Sequence, residues 1–207
     1  LEHSAGDAPD RIDDARGTLG VLNELGQRAV WIPVRRPERV ELPLRLVWDP
    51  GGAVVGYVVE ARAGPKDKPV GLLLDTGNAG LYVIQRMARK RDFTLLGETT
   101  TFGGKDRRQQ VQRGFFSSFA LGDLRYESAL VTSTREELDP TGRFHGLLGL
   151  SPIAGYKVTL DLARRSLLLE PPGELLEGER YWIVGGQILV EAWADGEEPG
   201  LFLLDTG

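Results

Sequence analysis

One tripeptide occurs twice in this chain of 207 residues, each time at the end of an apolar run. Leu72-Leu73-Leu74 leads into Asp75-Thr76-Gly77, and Leu201-Phe202-Leu203-Leu204 leads into Asp205-Thr206-Gly207. The match extends upstream. Residues 59–77 read VEARAGPKDKPVGLLLDTG and residues 190–207 read VEAWADGEEPGLFLLDTG, which align with one gap as strand, turn, apolar strand, Asp-Thr-Gly. A repeat at long range constrains architecture before any local pattern does. One Asp-Thr-Gly is expected by chance in about 4% of chains this long. Two copies inside a longer repeat weigh against the alternative of a structural β-domain in which both are only strand-ending turns, which Asp, Thr and Gly all suit. The repeat predicts one whole unit over about 40–172 and the opening of a second, with the chain read as a piece of a longer product.

A carboxylate that directly follows a buried strand needs hydrogen-bond partners or a proton, because burying a lone charge is costly. Thr76 offers a hydroxyl, and Gly77 lets the backbone turn sharply and aim an N–H at the carboxylate. Two such loops face to face would bring Asp75 and Asp205 together. Adjacent carboxylates do not both ionise readily, so the pair shares one proton. The ionised member can take a proton from water, while the protonated member can donate to a carbonyl and later protonate a leaving amine.

The remaining composition removes most other chemistries. With no Cys there is no disulfide framework, thiolate nucleophile or zinc ribbon. The two His residues, His3 and His145, have no ligand spacing, so no metal and no cofactor is expected. Gly149-Leu150-Ser151-Pro152-Ile153 lacks the second Gly of a nucleophile elbow. A formal charge of −5 offers no phosphate-tracking face for nucleic acid. No apolar run approaches the ~18 residues of a transmembrane segment. The absence of Cys is compatible with export, without deciding a compartment.

The local patterns predict a mainly β chain. Gly accounts for 27 of the 207 residues, which points to many turns. Residues 1–29 read as a polar lead-in, partly disordered or with a short helix, since Gly17 and Gly20 interrupt helical spacing over 12–26. Val40–Trp48 alternates as one half-buried strand. Ala53–Ala63 reads as its hairpin return, and Val70–Asp75 as a strand buried on both faces. A short helix is expected at Ile84–Arg91, its basic face solvated. Thr99–Val111 reads as two polar strands around 103–106, followed by strands at Phe115–Leu121 and Leu124–Ser133. Phe144–Leu150 reads as a Gly-rich apolar turn, with His145 a surface loop residue. A last hairpin joins Val158–Leu162 to Ser166–Leu169. The expected domains are a first lobe at 30–172, a Pro/Gly/Glu-rich connector at 173–180, and the truncated opening strands of a second lobe at 181–207.

These residues resemble the aspartic proteases of the retropepsin and pepsin group, and within it the bacterial retroviral-like aspartyl proteases. The likeness rests on Leu72-Leu73-Leu74-Asp75-Thr76-Gly77 and on Gly146-Leu147-Leu148-Gly149-Leu150, similar to the apolar-apolar-Gly segment that packs across the catalytic loop in that family. Tyr156–Asp161 and Ser166–Leu169 look like its closing hairpin. The resemblance implies a pepsin-like closed β-barrel lobe with one short helix, and endopeptidase activity on a peptide or protein substrate. It implies catalytic roles for Asp75, Thr76, Gly77, Asp205, Thr206 and Gly207. Leu147, Leu148 and Gly149 would support the catalytic loop. Asn78 would meet substrate, together with Phe102, Gly103 and Gly104 at the tip of a hairpin flap. The partner that completes the site would be a second lobe in cis or a second copy of the chain, so residues 1–207 alone are expected to be inactive or nearly so. Asn78 stands where the family usually has Ser, Thr or Ala. That substitution sustains the alternative of a catalytically inactive pepsin-fold module that binds peptides.

Overall fold

The computed structural model describes residues 8–103, 107–173, 178–193 and 198–207, and the chain is mainly β. The apolar run of residues 70–74 lies in β5 (Lys68–Leu74), which pairs antiparallel with β4 (Val54–Ala63) from Val58↔Leu73 to Ala63↔Lys68. On its other side β5 runs parallel to β10 (Gly146–Leu148), with Leu72, Leu73 and Leu74 opposite Gly146, Leu147 and Leu148. β10 in turn pairs with β6 (Leu81–Ile84), and β6 runs parallel to β9 (Leu124–Thr134). β8 (Arg107–Leu121) pairs with β9 along nearly its whole length and touches β4 at Arg62↔Ala120 and Ala63↔Phe119. The pairings therefore close a ring in the order β9-β6-β10-β5-β4-β8 and back to β9. A ring leaves few free edges and encloses a core, which accounts for the strand-rich, alternating sequence.

Three strands flank the ring: β1 (Ile32–Arg35) on β9, β3 (Arg45–Trp48) on β4, and β7 (Phe93–Gly103) on β8. β2 (Val40–Pro43), β11 (Lys157–Asp161) and β12 (Ser166–Glu170) form a small separate sheet. Its Val40, Leu42, Leu167 and Leu169 join the same buried cluster as Val59, Leu72, Leu74, Leu81, Phe116, Phe119 and Leu148. Leu73 faces the other way, with Val47, Val58 and Phe144. β5 is thus buried on both faces, as its unbroken apolar run predicts.

Local pattern and structure differ in four places. The alternation over Val40–Trp48 is two strands, because Leu44 N–H donates to Arg165 O (2.8 Å) and the chain passes from one sheet to the other. The buried parity then flips: Val47 is buried and Trp48 exposed. β8 is one strand rather than two, with Phe93 of β7 lying over Gly114 and filling the place of its missing side chain. Phe144–Leu150 holds the central strand β10 rather than a turn, and three residues are too few for periodicity to register. His145, half-buried, links it to its neighbours through backbone bonds to Gly71 and Ile84. In the lead-in, α1 (Ala8–Gly26) is longer than the short helix expected there and packs on β7, with Val21 buried. The expected short helix is α2 (Gln85–Arg89), and the expected closing hairpin is β11–β12.

One buried carboxylate organises the approach to β10. Asp139 accepts bonds from the N–H and hydroxyl of Thr141 and from the backbone and guanidinium of Arg143. Arg143 also donates to Trp48 O (2.6 Å), which ties this loop to β3. Burial alone would raise the Asp139 pKa, but the bonds from Arg143 and Thr141 outweigh it and hold the carboxyl well below its ordinary value. A group whose folded pKa lies below its unfolded value stabilises the fold above about pH 4. That contribution is lost as the pH falls toward the folded value. We expect Asp139→Ala to cost about 2–4 kcal/mol at pH 7, since it strands several donors. Urea denaturation at pH 7 and pH 3 checks both points: the variant's deficit should shrink at pH 3, and an equal deficit at both pH values would refute the assignment.

Candidate active site

Both Asp-Thr-Gly sequences begin where a strand ends. The backbone N–H of Asp75 extends the β5–β10 pairing by donating to Leu148 O (3.0 Å), so the carboxylate leaves the sheet from a fixed backbone. The loop then folds on itself, with Asn78 N–H donating to Asp75 O (3.2 Å). The segment after β10 runs along this loop. Gly149 donates to Gly80 O (2.8 Å), Leu150 to Asn78 O (3.2 Å), and Ser151 to Ala79 O through its backbone (2.9 Å) and its hydroxyl (2.5 Å). A Cβ on Gly149 would lie 2.1 Å from Asn78 O, so only glycine fits there. Leu147 and Leu148 lie in β10 between β5 and β6, and Gly149 lies against the first loop.

The second tripeptide follows β13 (Tyr181–Val184), β14 (Gln187–Ala192) and β15 (Gly200–Leu203), which form a three-stranded antiparallel sheet. The two loops meet directly. Thr76 Oγ1 donates to Leu204 O (2.6 Å), and Thr206 Oγ1 donates to Leu74 O (2.9 Å). Thr206 Oγ1 also accepts from Thr76 N–H (3.3 Å). Each threonine thus holds the carbonyl that precedes the other loop's aspartate. Each glycine lies against that aspartate as well: a Cβ on Gly77 would come within 2.7 Å of Asp205 Cγ, and one on Gly207 within 2.8 Å of Asp75 Cβ. The two tripeptides, far apart in sequence, are therefore neighbours in space. Thr76 differs in one respect from the role its side chain suggests, because its hydroxyl serves the opposite backbone rather than a carboxylate.

The two carboxylates sit differently. Asp205 is exposed and accepts from Gly207 N–H (3.0 Å). Asp75 is half-buried and hydrogen-bonded to Asp205. Burial first, then the charge of Asp205 and the bond between them, raise the Asp75 pKa to about 6. Backbone N–H groups of Gly77 and Asn78 act in the opposite sense. A half-buried acid with one carboxylate neighbour retains a proton well above the ordinary carboxylate range.

The other expected site residues are placed less directly. Asn78 turns its side-chain oxygen onto Gly80 N–H (3.3 Å), and its amide nitrogen is buried with no partner. Phe102 and Gly103 lie at the end of β7, paired with Arg108 and Arg107 of β8, so the expected hairpin is present; Gly104 lies outside the described residues. Two residues not singled out from the sequence tie neighbouring elements together around these loops. Tyr82 of β6, its pKa raised by burial, bonds the Thr101 side chain and links that hairpin to the strand after the first loop. Gln187 Nε2 donates to Gly77 O (2.7 Å). Neither carries a motif, and both are recognisable only once strands distant in sequence are neighbours. A cavity of about 530 Å³ beside α2, lined by Arg86, Arg89, Lys90 and Arg135 among others, involves none of these residues. Among the described residues no cluster of His, Asp or Glu has the form of a metal site.

No protein-family model matches this chain, and no curated protein sequence does. Among solved structures, it is similar to a retropepsin-like aspartic protease from Rickettsia conorii, with 16% identity and a TM-score of 0.46 over 69% of this chain and 96% of that one.

The tight seat of Gly149 gives a test of how the first loop is held. Gly149→Ala should push Asn78 and its loop away from β10 and lower stability by about 1–3 kcal/mol, the usual range for overpacking. Denaturant titration measures it, and a neutral substitution would mean the loop is not braced there.

Proposed function

We propose that this protein is an aspartic endopeptidase in which Asp75 and Asp205 form a catalytic pair. The single observation that carries the reading is the reciprocal lock between the loops, which brings the two aspartates together; the Asp75 pKa, raised to about 6 by burial and by Asp205, supports it. In the working state the pair holds one proton, and its placement belongs to the pair rather than to either residue. The ionised carboxylate takes a proton from water as the water oxygen bonds to the scissile carbonyl carbon. The protonated carboxyl gives its proton to the carbonyl oxygen, forming a neutral diol. In collapse, a diol hydroxyl returns a proton to the pair, the C–N bond breaks, and the amine nitrogen leaves with a proton from the other carboxyl. Thr76 and Thr206 keep the loops in register. Gly77 and Gly207 allow the close approach and supply N–H groups. Asn78, with Phe102 to Gly104 of the hairpin, would line the substrate path. A peptide or protein substrate is the expected partner.

The second half of the site stands on a less buried base. Leu72 and Leu74 are buried, whereas their counterparts Phe202 and Leu204 are 42% and 47% exposed, as are many apolar neighbours in β13–β15. Bare apolar faces of this extent fit a partner surface. A second lobe in cis, or a second copy of the chain, would cover them.

The deciding measurement is digestion of an unstructured protein by the full-length gene product from pH 3 to 8. We expect cleavage that falls as the pH rises through about 6, because the pair then loses its shared proton. Asp75→Asn and Asp205→Asn should each lower the rate by at least about 10²-fold. Peptide affinity that survives Asp75→Asn, with no cleavage by either form, would replace this reading with a binding module.

A further inference from the structure

Gln187 opens β14, and the turn before it presses Gly186 against Ala79, where a Cβ on Gly186 would lie 2.6 Å from Ala79 Cβ. The second segment thus touches the first loop at a point separate from the threonine lock. Gln187 Nε2 donates to Gly77 O at 2.7 Å. The atom facing a carbonyl oxygen must be the amide NH₂, since the amide oxygen has nothing to donate. The Gly77 carbonyl and the Asn78 N–H belong to one planar trans peptide, so they point in opposite directions. Anchoring the carbonyl on the Gln187 side therefore turns the Asn78 N–H toward Asp75, where it donates to the main-chain oxygen (3.2 Å) and its dipole favours the ionised carboxylate.

We propose that Gln187 is a positioning residue for the aspartate pair: it fixes the plane of the Gly77–Asn78 peptide so that the Asn78 N–H stays turned toward Asp75. It touches neither carboxylate and acts through that peptide alone. The inference rests on the protease reading only in its consequence for rate; the geometry stands without it. Without the anchor the peptide tilts and the Asn78 N–H dipole turns away from Asp75. The ionised form of Asp75 is then less favoured and its titration moves upward. Asp205 is the charged group that faces Asp75 in this site, and the substitution leaves it unchanged.

The test is a ¹³C NMR titration of Asp75 Cγ in the unmutated protein and in Gln187→Met, which keeps the length of the side chain and removes the donor. The midpoint should rise by about half a pH unit. Gln187→Ala should move it the same way, so either variant decides if the other does not fold. In the unmutated protein the Asn78 amide resonance should titrate with the Asp75 midpoint. A purely structural role would lower the unfolding temperature and leave the midpoint in place. An unmoved midpoint in a folded variant, or an Asn78 amide that ignores the titration of Asp75, overturns the proposal. A protein that cleaves nothing removes the protease reading but leaves these titrations readable, while unmoved midpoints in an active enzyme remove the positioning role alone.

Discussion

The arrangement depends on two hydroxyls that cross between loops. Thr76 and Thr206 each donate to the carbonyl just before the opposite aspartate, and so tie side chains 130 residues apart in sequence to one another's backbone. A single bond of this kind contributes only about 0.5–1.5 kcal/mol net. Its effect is geometric: the bonded carbonyls adjoin the aspartates, so little freedom remains between the lock and the carboxylates. Serine would keep the hydroxyl, but threonine's branched Cβ narrows the rotamers that present it. The glycines that follow are the other half of the constraint, because any side chain there would occupy the space of the opposing aspartate.

The lock works between unequal supports. The first loop is built into a closed ring of strands, with β10 running beside β5 and its continuation bonded along residues 78–80. The second loop hangs from a three-stranded sheet whose apolar side chains are largely open to solvent. The aspartates inherit this difference: Asp75 is half-buried, Asp205 exposed. Two identical tripeptides therefore occupy different electrostatic settings, and the raised pKa of Asp75 follows first from its burial and only then from its neighbour. The backbone N–H groups of Gly77 and Asn78 act against that rise.

Much of the fold was readable from period and punctuation. The unbroken Val70–Leu74 run marks a strand buried on both faces, and Gly122-Asp123 marks the turn between β8 and β9. What local pattern missed has physical causes. β10 is three residues long, below the length at which alternation carries a signal, yet it lies at the centre of the ring. Val40–Trp48 keeps its alternation on paper while the chain changes sheets at Leu44, and no local propensity encodes that handover. Asp139 was indistinguishable from any other loop acid until Arg143 and Thr141 folded around it.

The sequence by itself determined that one strand, turn and Asp-Thr-Gly unit occurs twice, 130 residues apart, because a repeat is written in the order of residues and needs no fold to be seen. Only the tertiary structure decided how the loops touch, which carboxylate is the more buried, and that Gln187 reaches the first loop. Those features depend on distances between strands far apart in the chain. Side chains without a motif acquire a role only when folding brings a partner within reach of a hydrogen bond.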